Sequence, residues 1–379
     1  MDGDEKLRRE VAVMRLVREN TSIPVPEVHA WGLSNENSLG LGPFIIMDFV
    51  QGESLHRLWR QTDEAVLRSD ISEGDLRTVY RQVAGFYLEL SKLEFPHSIH
   101  TDLGPLTLKM QEIEAHGAGT FPSAREFFEY IADQDMEQVY KQANSVDDAD
   151  DARAKYKFRH QFNALIPRFV NDDYNRMKPR LLCDDFRYGN MIIGREWAYA
   201  APYQMLCSAP RWFLISKPTE WRTPAGAEFE RYKACLELFL DELERLEVEN
   251  EEVCEPPECP KVNGNVSKQL ERLGIGSDEA LKQAEPPKKL SAQMRKSMTD
   301  GTFLFHELLY DCYTDAENTA WKAICSLHPD FEDFTPVAEE ELREFAERKV
   351  KELEAYKLEW GAIKAAIERS EKACQSKVK

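Results

Sequence analysis

An aspartate and an asparagine with four residues between them, Asp185 and Asn190 in the run CDDFRYGN at 183–190, offer the most specific chemistry in this chain of 379 residues. A loop of that length aims a carboxylate at a substrate hydroxyl and an amide oxygen at a metal ion, two tasks that phosphoryl transfer sets for side chains. On this reading Asp185 is the base that takes the hydroxyl proton and Asn190 is a metal ligand. The spacing alone is unspecific, because a chain with 68 acidic residues contains it by chance. An acidic loop after a buried strand accounts for the six residues taken by themselves.

Aiming such a loop requires buried elements on every side of it. The apolar pair Leu181-Leu182 runs directly into it. Upstream, Leu7, Val11, Met14 and Val17 recur every three or four residues and predict a helix over 4–20, capped by Asp2 or Asp4. Two prolines, Pro24 and Pro26, enforce an extended link, and 28–32 reads as a strand. Residues 34–42 read as a turn, and 43–50 as a second strand whose apolar content predicts burial. Ser72 to Asp75 fits a capping box, ahead of a helix with Leu76, Tyr80, Val83, Tyr87, Leu90 and Leu93 on one face. Further helices are predicted over 127–141 and 148–169, the second behind an acidic run that suits the positive end of the helix dipole. That run lacks the glycine and the terminal glutamate of a calcium loop. A helix over 227–249 turns Tyr232, Cys235, Leu236, Phe239 and Leu243 inward. Composition then shifts over 248–289 to that of a mobile insertion. Helix returns over 294–328, and Thr335-Pro336 makes an N-cap and first-turn pair for a last helix. Its stripe of Leu342, Phe345, Leu353, Tyr356, Trp360, Ile363 and Ile367 is expected to pack on the rest of the chain rather than zip a dimer.

The flanks of the loop add the specificity that its spacing lacks. CDDFRYGNMII (183–193) followed by REWAYAAPYQM (195–205) resembles the catalytic-loop region of the aminoglycoside phosphotransferase-like family of small-molecule kinases. IPVPEVHAWG (23–32), GPFIIMDFVQGESL (42–55) and RKSMTDGTF (295–303) are similar to further segments of that family. The resemblance implies an α+β, protein-kinase-like two-lobe fold: 1–52 as the remnant of a nucleotide-binding small lobe and hinge, and 53–379 as a large, mainly helical lobe. It also implies ATP and Mg²⁺ as cofactors. Glu10 matches the glutamate that pairs with the phosphate-binding lysine, the backbone near Met47 and Phe49 matches the adenine-binding hinge, Asp185 the base and Asn190 a metal ligand. The chain departs from the family in four places. Gly194 stands where the family has its metal-binding aspartate, and only four steps separate it from Asn190 where the family has a hairpin. Cys183 replaces a histidine, and the helix at 4–20 has no Gly-rich or lysine strand ahead of it, so the small β lobe is expected to be incomplete. Two functions stay open: ATP-dependent phosphoryl transfer to a small-molecule hydroxyl, as in aminoglycoside or choline-type kinases, or a catalytically inactive kinase-fold binding protein or incomplete gene model.

Composition narrows the partners. A net charge of −19 repels nucleic acid backbones and anionic lipid surfaces, so neither is an expected partner, and a cationic acceptor is favoured. No run of 18 apolar residues occurs and the N-terminus has no signal-peptide core, which reads as a cytoplasmic monomer. The eight cysteines are scattered; the nearest pair, Cys254 and Cys259, has no histidine or second pair beside it to make a zinc site.

Overall fold

The computed structural model describes residues 3–61, 66–95, 98–99, 120–183, 186–190, 198–216, 226–253, 289–310, 318–331, 334 and 336–377. Helix α1 (Gly3–Asn20) buries Leu7, Val11, Met14 and Val17, the face its spacing predicts. Asp4 lies inside the helix rather than at its cap. Its carboxylate accepts hydrogen bonds from the Ser34 amide (2.8 Å) and hydroxyl (2.6 Å), tying the helix start to the next turn. Asp2 is outside the described residues.

Strands β1 (Val28–Gly32) and β2 (Phe44–Met47) pair antiparallel, with Ala30 opposite Ile46 and Gly32 opposite Phe44. The expected burial of 43–50 does not hold: Ile46 is 54% and Phe49 87% exposed. A two-stranded ribbon has two faces, and successive side chains alternate between them. Ile45 and Met47 pack with Met14 and Val17 of α1, which leaves Ile46 on the other face.

After the short α2 (Leu55–Trp59), α3 (Glu73–Leu90) starts on Ser72, whose hydroxyl oxygen accepts from the Asp75 amide at 3.1 Å. Leu76, Tyr80, Val83 and Leu90 are buried as predicted, and Tyr87 is half-buried. A minimal pair, β3 (Ser98–Ile99) with β4 (Thr120–Phe121), precedes α4 (Ala124–Lys141) and α5 (Ala149–Phe169). Asp148 caps α5 through the Asp151 amide at 2.9 Å. Strands β5 (Arg180–Cys183) and β6 (Ala198–Ala201) pair antiparallel, and α6 (Tyr203–Leu206) and α7 (Ala227–Val253) follow. Helix α7 claims 248–253 from the expected insertion; 254–288, with Cys254 and Cys259, lie outside the described residues.

The helix expected over 294–328 is instead three: α8 (Leu290–Ser297), α9 (Thr302–Tyr310) and α10 (Thr319–Leu327). The chain breaks at Gly301, whose φ of 84° a side chain disfavours and whose added Cβ would sit 3.2 Å from the Phe169 ring. Helix α11 (Glu339–Lys377) begins three residues after Pro336, so Pro336 is not its first residue; Thr335 is outside the described residues. The first half of α11 packs as expected. Leu342, Phe345 and Leu353 are buried, and Phe345 stacks on Tyr156 at 4.0 Å. Lys349, fully buried, donates to the Gln142 carbonyl at the end of α4 and to Glu352, each at 2.7 Å. Beyond Leu353 the stripe opens to solvent at Trp360, Ile363 and Ile367.

Three two-stranded sheets among many helices, within the described residues, make a mixed, mainly helical fold, in line with the α+β expectation. One large core joins α3, α7 and 206–214; a second joins α4, α5, α9 and α10. In the second core, His306 is buried among Phe128 and Phe305, with Nε2 3.4 Å from Gln204 Nε2. Burial lowers its pKa from 6.5 to about 3, against a smaller opposing pull from Asp300. The folded imidazole is therefore neutral where the unfolded one takes up a proton, so stability is full above the unfolded pKa and falls as pH drops from there toward the folded value. We expect unfolding free energy to fall by roughly 2 kcal/mol from this group between about pH 7 and pH 5. Urea titrations of wild type and His306→Gln should show the variant with the flatter pH profile; parallel profiles would contradict this.

Candidate functional site

The site is built on the β5–β6 ladder. Arg180 faces Ala201, Leu181 faces Ala200, Leu182 faces Tyr199 and Cys183 faces Ala198. Cys183 and Ala198, the last paired residue of β5 and the first of β6, therefore sit together at one end of the ladder. Asp184, Asp185 and 191–197, including Gly194 and Glu196, lie outside the described residues, whereas 186–190 is described. That stretch is tightly turned: the Phe186 amide donates to the Cys183 carbonyl at 3.2 Å, and the Asn190 amide to the Arg187 carbonyl at 2.8 Å.

Two aromatic side chains plug the stretch into the first core. Phe186 meets Tyr87 edge-on at 5.7 Å. Tyr188 sits edge-on to both Trp59 (5.2 Å) and Trp212 (5.0 Å). Its hydroxyl donates to the Phe213 carbonyl at 3.1 Å and lies 3.1 Å from the Tyr80 hydroxyl. Burial pushes both phenols well above their ordinary pKa, so both stay protonated donors. Sequence reading marked Tyr80 as core and missed Tyr188, whose polar neighbours hide its burial; the one available signal was the Arg211-Trp212-Phe213 aromatic run that receives it.

The structure joins some expected site residues and leaves others apart. Gly189 lies against the start of α2, where an added Cβ would be 3.8 Å from His56 Cβ and 4.0 Å from Ser54 Oγ. The GESL segment (52–55), at the boundary between the expected small and large lobes, thus borders the loop that carries Asn190, itself half-buried. Met47 shares an apolar cluster with Cys183 and with Leu181 and Ala198 of the ladder. Phe49 projects into solvent. The Asp48 amide, between them, is already committed to the Glu27 carbonyl at 3.0 Å, so it is not a donor for an adenine edge. Glu10 is half-buried, three residues after buried Leu7 and four before buried Met14, on the face that α1 turns to the ladder cluster.

Beside the loop is a cavity of about 50 Å³ lined by Cys183 and Phe186, which bracket 184–185, and by Tyr87, Arg211, Trp212 and Tyr310 among others. Trp212 Nε1 donates to the Tyr87 hydroxyl at 3.4 Å. As for a metal, Asn190 offers one amide oxygen and Gly194 offers no side-chain oxygen. Magnesium is ordinarily held through at least one carboxylate, so this pair of positions does not by itself make its site.

The plug is testable through Tyr188. Replacing it with Phe keeps the ring and removes a hydroxyl on which a buried carbonyl depends, which costs about 1–3 kcal/mol. Equilibrium unfolding of Tyr188→Phe should show a loss in that range, and a loss near zero would mean that the hydroxyl contributes nothing to holding the loop.

A segment of 106 residues is 26% identical to altered inheritance of mitochondria protein 9, mitochondrial, of Lodderomyces elongisporus, covering 26% of this chain and 16% of that protein. The chain therefore matches less than a fifth of that relative's length. The phosphotransferase enzyme family matches residues 2–200, a span that takes in α1, the β1–β2 ribbon, α3 and nearly all of the β5–β6 ladder. With more than half of its residues matched, and with a kinase-like mix of small sheets and a helical large lobe, the chain belongs to the phosphotransferase enzyme family.

Proposed function

We propose that this protein transfers the terminal phosphoryl group of ATP to a hydroxyl of a small molecule, with Asp185 as the base. In that reaction the acceptor oxygen bonds to the γ-phosphorus as the bond to the bridging oxygen breaks. ADP leaves, and the acceptor proton passes to the Asp185 carboxylate. The observation that carries the reading is the cavity against Cys183 and Phe186, since these residues bracket Asp185 in the chain. A volume of about 50 Å³ takes the end of a small molecule rather than a protein segment, and the aromatic plug beneath the loop supplies the rigidity that positioning catalysis needs. In this reading 1–52 is the nucleotide side, with Glu10 and the backbone at Met47 and Phe49 beside ATP, and 53–379 is the acceptor side.

A second reading, a kinase-fold protein that binds without turning over, rests on one specific feature. Gly194 lacks the carboxylate that the family uses to hold the phosphate-bound cation, and electrostatic positioning supplies most of the rate in phosphoryl transfer.

One experiment separates the two: ADP release with a panel of hydroxyl acceptors, for wild type and Asp185→Asn. The first reading expects wild-type turnover that drops about 10²- to 10⁴-fold in the variant, the range for a general base. Equal rates in two folded proteins would remove Asp185 from the chemistry, and ATP binding without turnover in either would establish the second reading.

A further inference from the structure

Helix α11 is docked over less than half of its length. Leu342, Ala346, Lys349 and Leu353 follow one another at spacings of three and four and are all covered by the rest of the chain. The helix leaves the body where α4 gives way to α5: Arg348 lies over the Tyr140 ring at 4.8 Å, Lys349 reaches the Gln142 carbonyl, and Leu353 shares an apolar cluster with Val146 and Ala152. From there residues 354–377 run on as helix, about 36 Å at 1.5 Å per residue. The same spacing continues along them. Tyr356 is half-buried, and Trp360 (52%), Ile363 (44%) and Ile367 (50%) are exposed. Positions 353, 356, 360, 363 and 367 recur every 3.5 residues on average, the period of a coiled-coil seam. A helix carrying such a face gains most of its stability from packing that face against a neighbour.

We infer that two copies of this chain pair through 354–377, with the two helices antiparallel. This departs from the expectation of a monomer. A parallel pair is blocked by shape. The face that would meet the partner is the face that α4 and α5 cover over 342–353, so two bodies would have to fit between helices already in contact. In an antiparallel pair each free half runs along the other to the edge of its body. Ile363 then meets Ile367 of the second copy near the two-fold axis, and the last turn arrives level with Leu353. Charge agrees with this register in two places. Heptad spacing sets Lys357 opposite Glu371 of the second copy, twice by symmetry, against a single meeting of the two Lys364 residues that salt screens. The body edge at which the arriving helix ends also carries Asp147, Asp148, Asp150 and Asp151, whereas 369–377 carries Arg369, Lys372 and Lys377 with Glu371 as its one acid. Asp147 and Asp150 are exposed. So short a seam makes the pairing depend on protein concentration.

Sedimentation equilibrium on the full chain, over a concentration series, measures the pairing. The expected result is a reversible monomer–dimer equilibrium. Ile363→Glu, at an exposed position that leaves the body untouched, should weaken it roughly tenfold or more. Asp147→Lys with Asp150→Lys should weaken it roughly two- to fivefold, with recovery when Lys372→Glu and Lys377→Glu are added to the same chain. Direction is read by mixing Ile363→Cys and Ile367→Cys proteins under mild oxidation and identifying the linked peptides by mass. A disulfide joining position 363 of one copy to 367 of the other is expected. A monomer at every concentration would overturn the inference and assign the stripe to another part of the chain or to another partner. A dimer that Ile363→Glu leaves unchanged would place the contact elsewhere and overturn it too, as would 363–363 and 367–367 links in place of the mixed one. Failure of the charge reversal to weaken the dimer, in a protein whose circular dichroism matches wild type, would remove the acidic edge from the interface and with it the proposed register.

Discussion

Everything at the candidate site depends on four residues of β5 pairing with four of β6 in the middle of the protein. A pair of strands buried there has outer edges and chain ends whose polar groups need partners, since an unpaired buried amide or carbonyl costs as much as a lost hydrogen bond. Arg180 meets that need at the entry to the ladder. Its guanidinium, nearly buried, donates to the carbonyls of Ser91 and Lys178, each at 2.6 Å, and to Glu94 at 2.9 Å, and its plane approaches the Tyr203 ring. Glu94 is held below the usual carboxylate range by its bond to Lys178 and the charge of Arg180, which keeps it ionised for the pairing. The end of α3 and the start of β5 are thereby locked together, and the exit of the ladder, at Cys183 and Ala198, has a fixed place relative to both cores.

From that fixed exit the described part of the loop is anchored in the core by packing. Phe186 and Tyr188 are alternate residues, so in a tight turn they reach the same core while Arg187 between them stays in solvent. The receiving wall is itself pinned: the Phe213 carbonyl by Tyr188, the Pro210 carbonyl by the Tyr232 hydroxyl at 2.8 Å, and the Leu214 carbonyl by the Leu67 amide at 3.1 Å. Edge-on aromatic pairs add to this beyond the area they bury. The arrangement suits a reaction in which the protein's contribution is mainly to hold groups in line, and it leaves the walls of the adjoining cavity free to differ in what they recognise.

Helix α11 stands apart from this machinery and shows how far packing extends. Its first half is docked through Lys349, a buried ammonium that satisfies a carbonyl at the end of α4, where the helix dipole also favours a cation. Past Leu353 the same three-and-four spacing continues with no covering element among the described residues. Periodicity sets a helix and its apolar side; it does not say how long the body beneath that side will be.

The boundary between what sequence and tertiary structure determine falls along the same line. Local pattern was enough for α1, α3, α5 and α7, because each inward face recurs within one turn, and in α3 and α5 the capping residue sits near the amide it satisfies. It was also enough for the Asp185–Asn190 spacing and the family resemblance that its flanks carry. Tertiary structure alone decided the rest. Strand β2 is as apolar as a central strand, yet it is half-exposed because α1 covers just one face of the ribbon. The stretch over 294–328 is apolar at helical spacing, yet it breaks at Gly301, where the backbone takes a positive φ and Phe169, more than a hundred residues earlier, packs where a side chain would sit. Tyr188 reads as a polar loop residue until Tyr80 and Phe213 are brought around it, and Arg211 reads as a surface cation until Glu307 and Tyr310 fix it beside a cavity. Each of these outcomes is set by partners distant in the chain, and the meeting of distant partners is what a one-dimensional pattern does not encode.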